Sequence, residues 1–113
     1  MSLDITLTSP KCVHCNHTPE TWSADITHNL NKMAGEAGIY GIVWRPEEND
    51  IESAAQLIAP LTTALEEMKT DPKRFKKYDD PEGWGTLEQF LSWLNEYLEA
   101  CIKYPNATVT SCS

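Results

Sequence analysis

The central stretch of the chain reads DITHNLNKMAGEAGIYGIVWRPEE, residues 25–48. Thr27 or Asn29 has the side chain of a helix N-cap, whose oxygen accepts a hydrogen bond from an unpaired amide of the first turn. Gly38 stands where a left-handed C-cap favours a residue without a Cβ. Between them, apolar residues recur at helical spacing and predict one buried helix face: Leu30, Met33, Ala34 and Ala37.

The chain after this helix is also predominantly helical in pattern. Residues 39–44 are almost wholly apolar and predict a buried second short helix, interrupted by Gly41. Arg45 ends it, because a residue that precedes proline is pushed out of helical geometry. Apolar residues share one face over 51–68, which predicts a longer helix. Pro60 should kink or split that helix, since proline lacks the amide hydrogen and crowds the preceding turn.

Strand patterns lie at both ends of the chain. Leu3, Ile5 and Leu7 alternate with polar residues, which is the period of a half-buried strand. Residues 21–26 then predict a returning strand, so the first two strands form a hairpin. The tail, 107–111, has strand propensity, and pairing with the first strand would complete a small antiparallel sheet.

The strongest helix pattern precedes the tail. Thr86 and Gln89 form a capping box at its start, and Pro105 ends it. Its predicted apolar face consists of Leu87, Phe90, Leu91, Leu94, Tyr97, Leu98, Cys101 and Ile102. A short helix should begin at Asp71-Pro72. The sequence therefore predicts a single α+β domain over residues 1–113, with a small antiparallel sheet packed against three to four helices.

The charge balance restricts the partners of this chain. Seventeen acidic residues against nine basic ones give a net charge of −8. This argues against direct binding of nucleic acid, which requires Lys and Arg to neutralise phosphates, and it is compatible with docking on a basic protein surface. No apolar run is long enough to span a membrane, so we expect no membrane association.

A Cys-x-x-Cys pair, Cys12 and Cys15, is the strongest chemical signal. Two thiolates at this spacing can hold one tetrahedral metal ion, and zinc is the usual one. The ligands that could complete a zinc site are His17, His28 and Cys101. The alternatives are a redox pair, which Thr18-Pro19 disfavours by breaking the chain, and two ordinary thiols.

The central stretch also predicts a ligand pocket. His28 and Asn29 carry polar groups at a helix start, Trp44 could stack on a flat ligand, and Arg45 could bind a carboxylate or phosphate. Trp84, between two glycines, is either a core anchor or a second stacking surface. With Glu47, these are the candidate ligand-binding residues. The alternative interpretation places Trp44 in the core and pairs Arg45 with Glu47 or Glu48.

A basic segment interrupts the acidic chain. Five of the nine basic residues fall within nine positions, beside Phe75 and Tyr78: Lys69, Lys73, Arg74, Lys76 and Lys77. The segment could attract a phosphate or nucleotide. The alternative is a solvated helix face whose charges balance Asp79, Asp80 and Glu82.

The runs Ile26-Thr-His-Asn-Leu30, Trp44-Arg-Pro-Glu-Glu48 and Gly83-Trp-Gly85 resemble a family of small uncharacterised proteins of bacteriophages and prophages. The resemblance covers most of the chain and implies a phage gene product in the cytoplasm of a bacterial host. No catalytic motif accompanies it. We therefore expect a non-enzymatic accessory protein that inhibits a host protein, such as a component of anti-phage defence. The alternatives are a binder of a nucleotide signal and a small zinc enzyme or structural zinc module.

Overall fold

The structure, a computed structural model, describes residues 2–8, 20–27, 30–79, 81–83 and 85–112. In chain order the elements of these residues are β1 (Ser2–Thr8), β2 (Glu20–Thr27), α1 (Asn31–Glu36), α2 (Tyr40–Trp44), a 3₁₀ turn (Pro46–Asn49), α3 (Ala55–Thr70), α4 (Pro72–Lys76), α5 (Leu87–Lys103) and β3 (Thr108–Cys112).

The three strands form one antiparallel sheet in the order β2-β1-β3. On the central strand, Leu3, Ile5 and Leu7 are fully buried, as their alternation predicts. Leu7 pairs with Trp22 of β2 on one side and with Val109 of β3 on the other. The predicted hairpin and the predicted C-terminal strand are both confirmed.

The central stretch forms two helices, α1 and α2. Thr27 lies in β2, so it does not cap α1, and Leu30 at the N-cap position makes no side-chain capping bond. Gly38 has a φ of 77°, which confirms the predicted left-handed helix end. Gly41 does not interrupt α2. A Cβ at Gly41 would lie 2.9 Å from Nδ2 of Asn49, so glycine permits this close approach.

Helix α3 begins beside the sheet and continues through Pro60 without a break. The backbone N–H of Ala54 donates to the carbonyl of Ala107 at 2.9 Å, which ties the helix start to the segment before β3. The helix is therefore not split at Pro60, and a kink at this residue, the other predicted outcome, stays a prediction.

Helix α5 begins with the predicted capping box: Thr86 accepts from the N–H of Gln89, whose side chain accepts from the N–H of Thr86. Its buried face differs from the prediction at three positions. Trp93 and Ala100 are buried, whereas Ile102 is 57% exposed. Ile102 lies to one side of the buried face, since Ala100 and Cys101 in the same turn are buried.

The buried apolar side chains form one core between the sheet and the helices. The opposite face of the sheet carries polar side chains, among them the exposed Asp4, Ser23 and Asp25. The α+β class is confirmed. Within the ranges given above, no helix combines the length and apolar character that a membrane crossing requires.

Candidate functional site

Trp44 lies in the core and is 1% exposed. Its ring stacks on Tyr40 with centroids 5.6 Å apart, and it meets Phe90 edge to face at 6.3 Å. These contacts place the indole among other aromatic rings, so no open ring face remains for a ligand arriving from solvent. The interpretation of Trp44 as a stacking platform is therefore replaced by the core interpretation.

Arg45 and Glu47 lie next to each other but have different partners. Arg45 Nε is 3.9 Å from Glu48 Oε2, with 53% and 69% of the two side chains exposed. Such an exposed ion pair contributes little to stability. Glu47 instead accepts bonds from the N–H of Ser111 at 2.9 Å and from its hydroxyl at 3.1 Å. Arg45 thus remains accessible, whereas Glu47 joins the 3₁₀ turn to β3.

The hydrogen bonds to Glu47 favour its charged form. Partial desolvation raises the pKa of this carboxyl, but the bonds from the N–H and hydroxyl of Ser111 and the charge of Arg45 outweigh it. The pKa therefore lies below its ordinary value of 4.5. Glu47 is a carboxylate at neutral pH.

Four exposed carboxylates extend along the 3₁₀ turn and the residues after it, and we call them the acidic ridge: Glu47, Glu48, Asp50 and Glu52. Beside the ridge lies a depression of about 490 Å³, bounded on the other side by Thr108, Val109 and Thr110 of β3. The sequence predicted Glu47 as a ligand-binding residue but did not predict the ridge. The feature of the sequence that could have identified the ridge is the density of acidic residues after Pro46. A turn exposes consecutive side chains, whereas a helix would distribute them around its axis.

Local hydrogen bonds fix the backbone of the acidic ridge. Gln56 Oε1 accepts from the N–H groups of Glu52 and Ser53, at 2.6 and 2.9 Å. The Gln56 amide donates to the carbonyl of Asp50 at 3.2 Å. Asp50 itself has a φ of 61°, a left-handed conformation that Asp adopts more readily than most residues. The ridge is therefore presented by an ordered backbone.

Two of the five basic residues in the segment, Arg74 and Lys77, are paired within the protein. Arg74 donates to the carbonyl of Glu36 at 2.9 Å and to its carboxylate at 3.3 Å, and it forms an ion pair with Glu67. Lys77 Nζ lies 3.7 Å from Glu36 Oε1. For Arg74 and Lys77 this supports the charge-balanced interpretation, with Glu36 and Glu67 as the acidic partners. Asp79 instead caps α5 by accepting from the N–H of Leu87 at 2.7 Å.

The pairing of Glu36 predicts a pH effect on stability. Desolvation raises its pKa, but hydrogen bonds from Tyr78 and Arg74 outweigh this and hold the pKa below 4.5. A carboxyl with a lowered folded pKa contributes stability that is present above the unfolded pKa and is lost as pH falls through the folded value. Glu36→Gln should therefore be less stable than the unmodified protein at neutral pH, and the two should converge in acid.

Urea unfolding across this pH range measures the difference. Glu66→Gln removes one negative charge from the exposed surface of α3 and serves as the matched control. A constant gap between Glu36→Gln and the unmodified protein from neutral to acid pH would contradict the assignment of this ion pair.

Of the other predicted ligand-binding and metal-binding residues, only Cys101 lies within the described part of the chain. The ligand candidates His28, Asn29 and Trp84 and the metal candidates Cys12, Cys15 and His17 lie outside the described residues, and the zinc site stays a prediction. Cys101 is fully buried in the core, and burial raises the pKa of its thiol to about 12. Among the residues that the structure describes, no three His, Cys, Asp or Glu side chains are grouped to hold a metal ion.

Comparisons with protein-family models, with curated proteins and with solved structures gave no match. The fold and the site define a small acidic α+β protein with four exposed carboxylates along the acidic ridge.

Proposed function

We propose that this chain is a phage-encoded, non-enzymatic accessory protein that acts in the cytoplasm of a bacterial host. It docks through the acidic ridge on a basic surface of a host protein, such as a component of anti-phage defence, and inhibits that protein. The phage setting comes from the sequence resemblance. The observation that carries the docking function is the acidic ridge itself, with four exposed carboxylates on a hydrogen-bonded backbone.

Physical arguments support docking through this ridge. A cluster of one charge sign accelerates association with a surface of opposite sign and discriminates against partners of like charge. Because the backbone is already ordered, binding loses less conformational entropy than it would for a flexible acidic tail. The net charge of −8 extends the same attraction over the molecule.

The nucleotide-binding alternative has less support. Trp44 is enclosed by aromatic rings, and Arg74 and Lys77 are paired with acidic residues. A nucleotide site on these groups would have to displace interactions within the protein, and a protein with a net charge of −8 repels free anions.

Phage growth in host strains that each carry one defence system tests the proposal. The unmodified chain should restore growth in at least one strain, and the combined variant Glu48→Gln/Asp50→Asn/Glu52→Gln should not. Glu47 is retained because it bonds Ser111. The matched control Glu66→Gln/Glu96→Gln/Glu99→Gln removes the same charge from exposed helix positions elsewhere and should restore growth fully.

The same variants should differ in their affinity for the defence protein that the growth experiment identifies. Exposed charge pairs contribute about 0.2–1 kcal/mol each, so the ridge variant should bind on the order of tenfold more weakly. The affinity of the unmodified chain should fall as salt concentration rises. Failure to restore growth in any strain, or equal effects of ridge and control variants, would refute the proposal.

A further inference from the structure

The two edges of the sheet differ in how their backbone groups are used. At the β3 edge, the N–H of Val109 donates to the carbonyl of Glu52 at 3.2 Å, and the N–H of Ser111 donates to Glu47 at 2.9 Å. Ser53 forms an isolated bridge with Thr108 at the same edge. The outward donors of β3 are therefore occupied, which is how proteins prevent an edge strand from pairing with another chain.

These bonds also show which residues of each strand direct their backbone N–H and C=O groups towards which neighbouring strand. Val109 and Ser111 point their N–H groups away from β1, so their partners Leu7 and Ile5 direct their own backbone groups towards β2. Since successive residues alternate, Trp22 and Ala24 of β2 pair with β1, whereas Ser23 and Asp25 direct N–H and C=O groups outward. No other described residue bonds these outward groups.

The side chains of β2 give its outer edge two distinct faces. On the core face, Trp22, Ala24 and Ile26 are only partly buried, in contrast to the fully buried residues of β1. On the other face, exposed Asp25 lies directly opposite exposed Asp4 of β1. Like charges opposite each other on neighbouring strands are unfavourable, and neither carboxylate has an ion-pair partner among the described residues.

We propose that the outer edge of β2 is a docking site for an extended segment of the partner protein in which apolar residues alternate with Lys or Arg. The segment adds to the sheet as a further strand, bonded to the outward groups of Ser23 and Asp25. Its apolar side chains extend the cover over Trp22 and Ile26, and its basic side chains face Asp4 and Asp25. The inference rests on the proposed function only in taking the partner to be basic.

Charge disfavours a second copy of this chain as the occupant. Each copy carries a net charge of −8, and pairing of two β2 strands would place Asp4 and Asp25 of both copies on the same sheet face. A basic segment instead neutralises two carboxylates that repel each other in the free protein.

A designed hairpin peptide provides the probe. Its binding strand alternates valine and lysine, and an Asn-Gly turn joins it to a second strand, which reduces the entropy lost on binding. A control peptide has the same composition with valines and lysines in separate blocks. The alternating peptide should bind saturably, and binding should slow amide hydrogen exchange at Ser23 and Asp25, whose N–H groups bond no other described residue.

Two changes remove the outward hydrogen bonds. Ser23→Pro deletes an outward donor without touching the bonds to β1, a position at which edge strands accept proline. It should weaken peptide binding at least about tenfold, since several main-chain bonds depend on the register, and Ser23→Ala should bind normally. N-methylation of the bonding amides of the peptide should have the same effect and does not depend on folding of the variant.

The acidic face is tested separately. Asp4→Asn/Asp25→Asn should weaken binding by about tenfold and reduce its dependence on salt. The inference is overturned if the alternating peptide does not bind, if the block peptide binds equally well, or if N-methylation has no effect. A dimer that Ser23→Pro dissociates in sedimentation velocity would also overturn it, in favour of self-pairing.

The ridge variant distinguishes this inference from the proposed function. Glu48→Gln/Asp50→Asn/Glu52→Gln should bind the peptide normally, because the ridge lies at the opposite edge of the sheet. If the peptide does not bind but the ridge variant fails to restore phage growth as expected, only the β2 docking site is refuted. If the peptide binds but the unmodified chain restores phage growth in no strain, only the proposed function is refuted.

Discussion

Trp44→Ala is expected to destabilise the protein by about 3–5 kcal/mol, the range for deleting a buried aromatic side chain. Trp44 is 1% exposed and contacts Tyr40 and Phe90, so its removal leaves a cavity that helices on several sides cannot fill. Because domains of this size have total stabilities of about 5–15 kcal/mol, the variant should unfold at much lower urea concentration or lack a cooperative transition.

Arg45→Ala is the matched control for this substitution. It alters the next residue, which is exposed and forms one weak ion pair, so its stability should change by no more than about 0.5 kcal/mol. A ligand-stacking role would give the reverse pattern, a stable Trp44→Ala variant that fails to bind. Urea unfolding followed by circular dichroism separates the two, and a change below about 1 kcal/mol for Trp44→Ala would contradict the core assignment.

Local patterns made much of this fold predictable. Alternation identified β1 because its core-facing residues are separated by polar ones, and the capping box located the start of α5 because both of its bonds are local. Trp44 could not be assigned in advance, because a tryptophan after an apolar run fits a core and a ligand pocket equally well. Trp93 and Ile102 were misplaced because the helical period does not show where neighbouring elements stop covering α5.

The site was less predictable because its contacts are distant in sequence. Glu36 meets Arg74 across 38 positions, and Glu47 meets Ser111 across 64. Nothing in the spacing of either pair indicates that the residues meet. The outward direction of the backbone groups of Ser23 is likewise indicated by bonds at the opposite edge of the sheet, made by Val109 and Ser111. These residues are also distant from Ser23 in sequence.

Tyr97→Ala should lower the free energy of unfolding by about 3–5 kcal/mol, whereas Tyr97→Phe should leave it unchanged or raise it. The ring is fully buried, with centroids 5.3 Å from Trp22 in a stacked pair and 5.3 Å from Trp93 edge to face. The alanine variant loses both aromatic contacts and leaves a cavity. The phenylalanine variant keeps them and removes only a buried hydroxyl that has no hydrogen-bond partner among the residues that the structure describes.

The same hydroxyl predicts a loss of stability at alkaline pH. Burial, together with the nearby Cys101 and Glu47, raises the pKa of Tyr97 well above its ordinary value of 10.0. The unfolded chain therefore releases this proton before the folded one does, and stability falls as pH rises above that value. Above that pH, Tyr97 should lower the free energy of unfolding by up to about 1.4 kcal/mol for each pH unit. This loss should be absent from Tyr97→Phe.

Unfolding of the two proteins at neutral pH and above about pH 10 tests both parts of this argument. The unmodified protein should lose more stability than Tyr97→Phe over that interval, and the difference between them isolates Tyr97 from other groups that titrate there. A Tyr97→Phe variant less stable than the unmodified protein at neutral pH by more than about 1 kcal/mol would contradict the assignment. It would mean that the hydroxyl is hydrogen-bonded in solution, and a buried water or a bound molecule beside α5 would then be the group to identify.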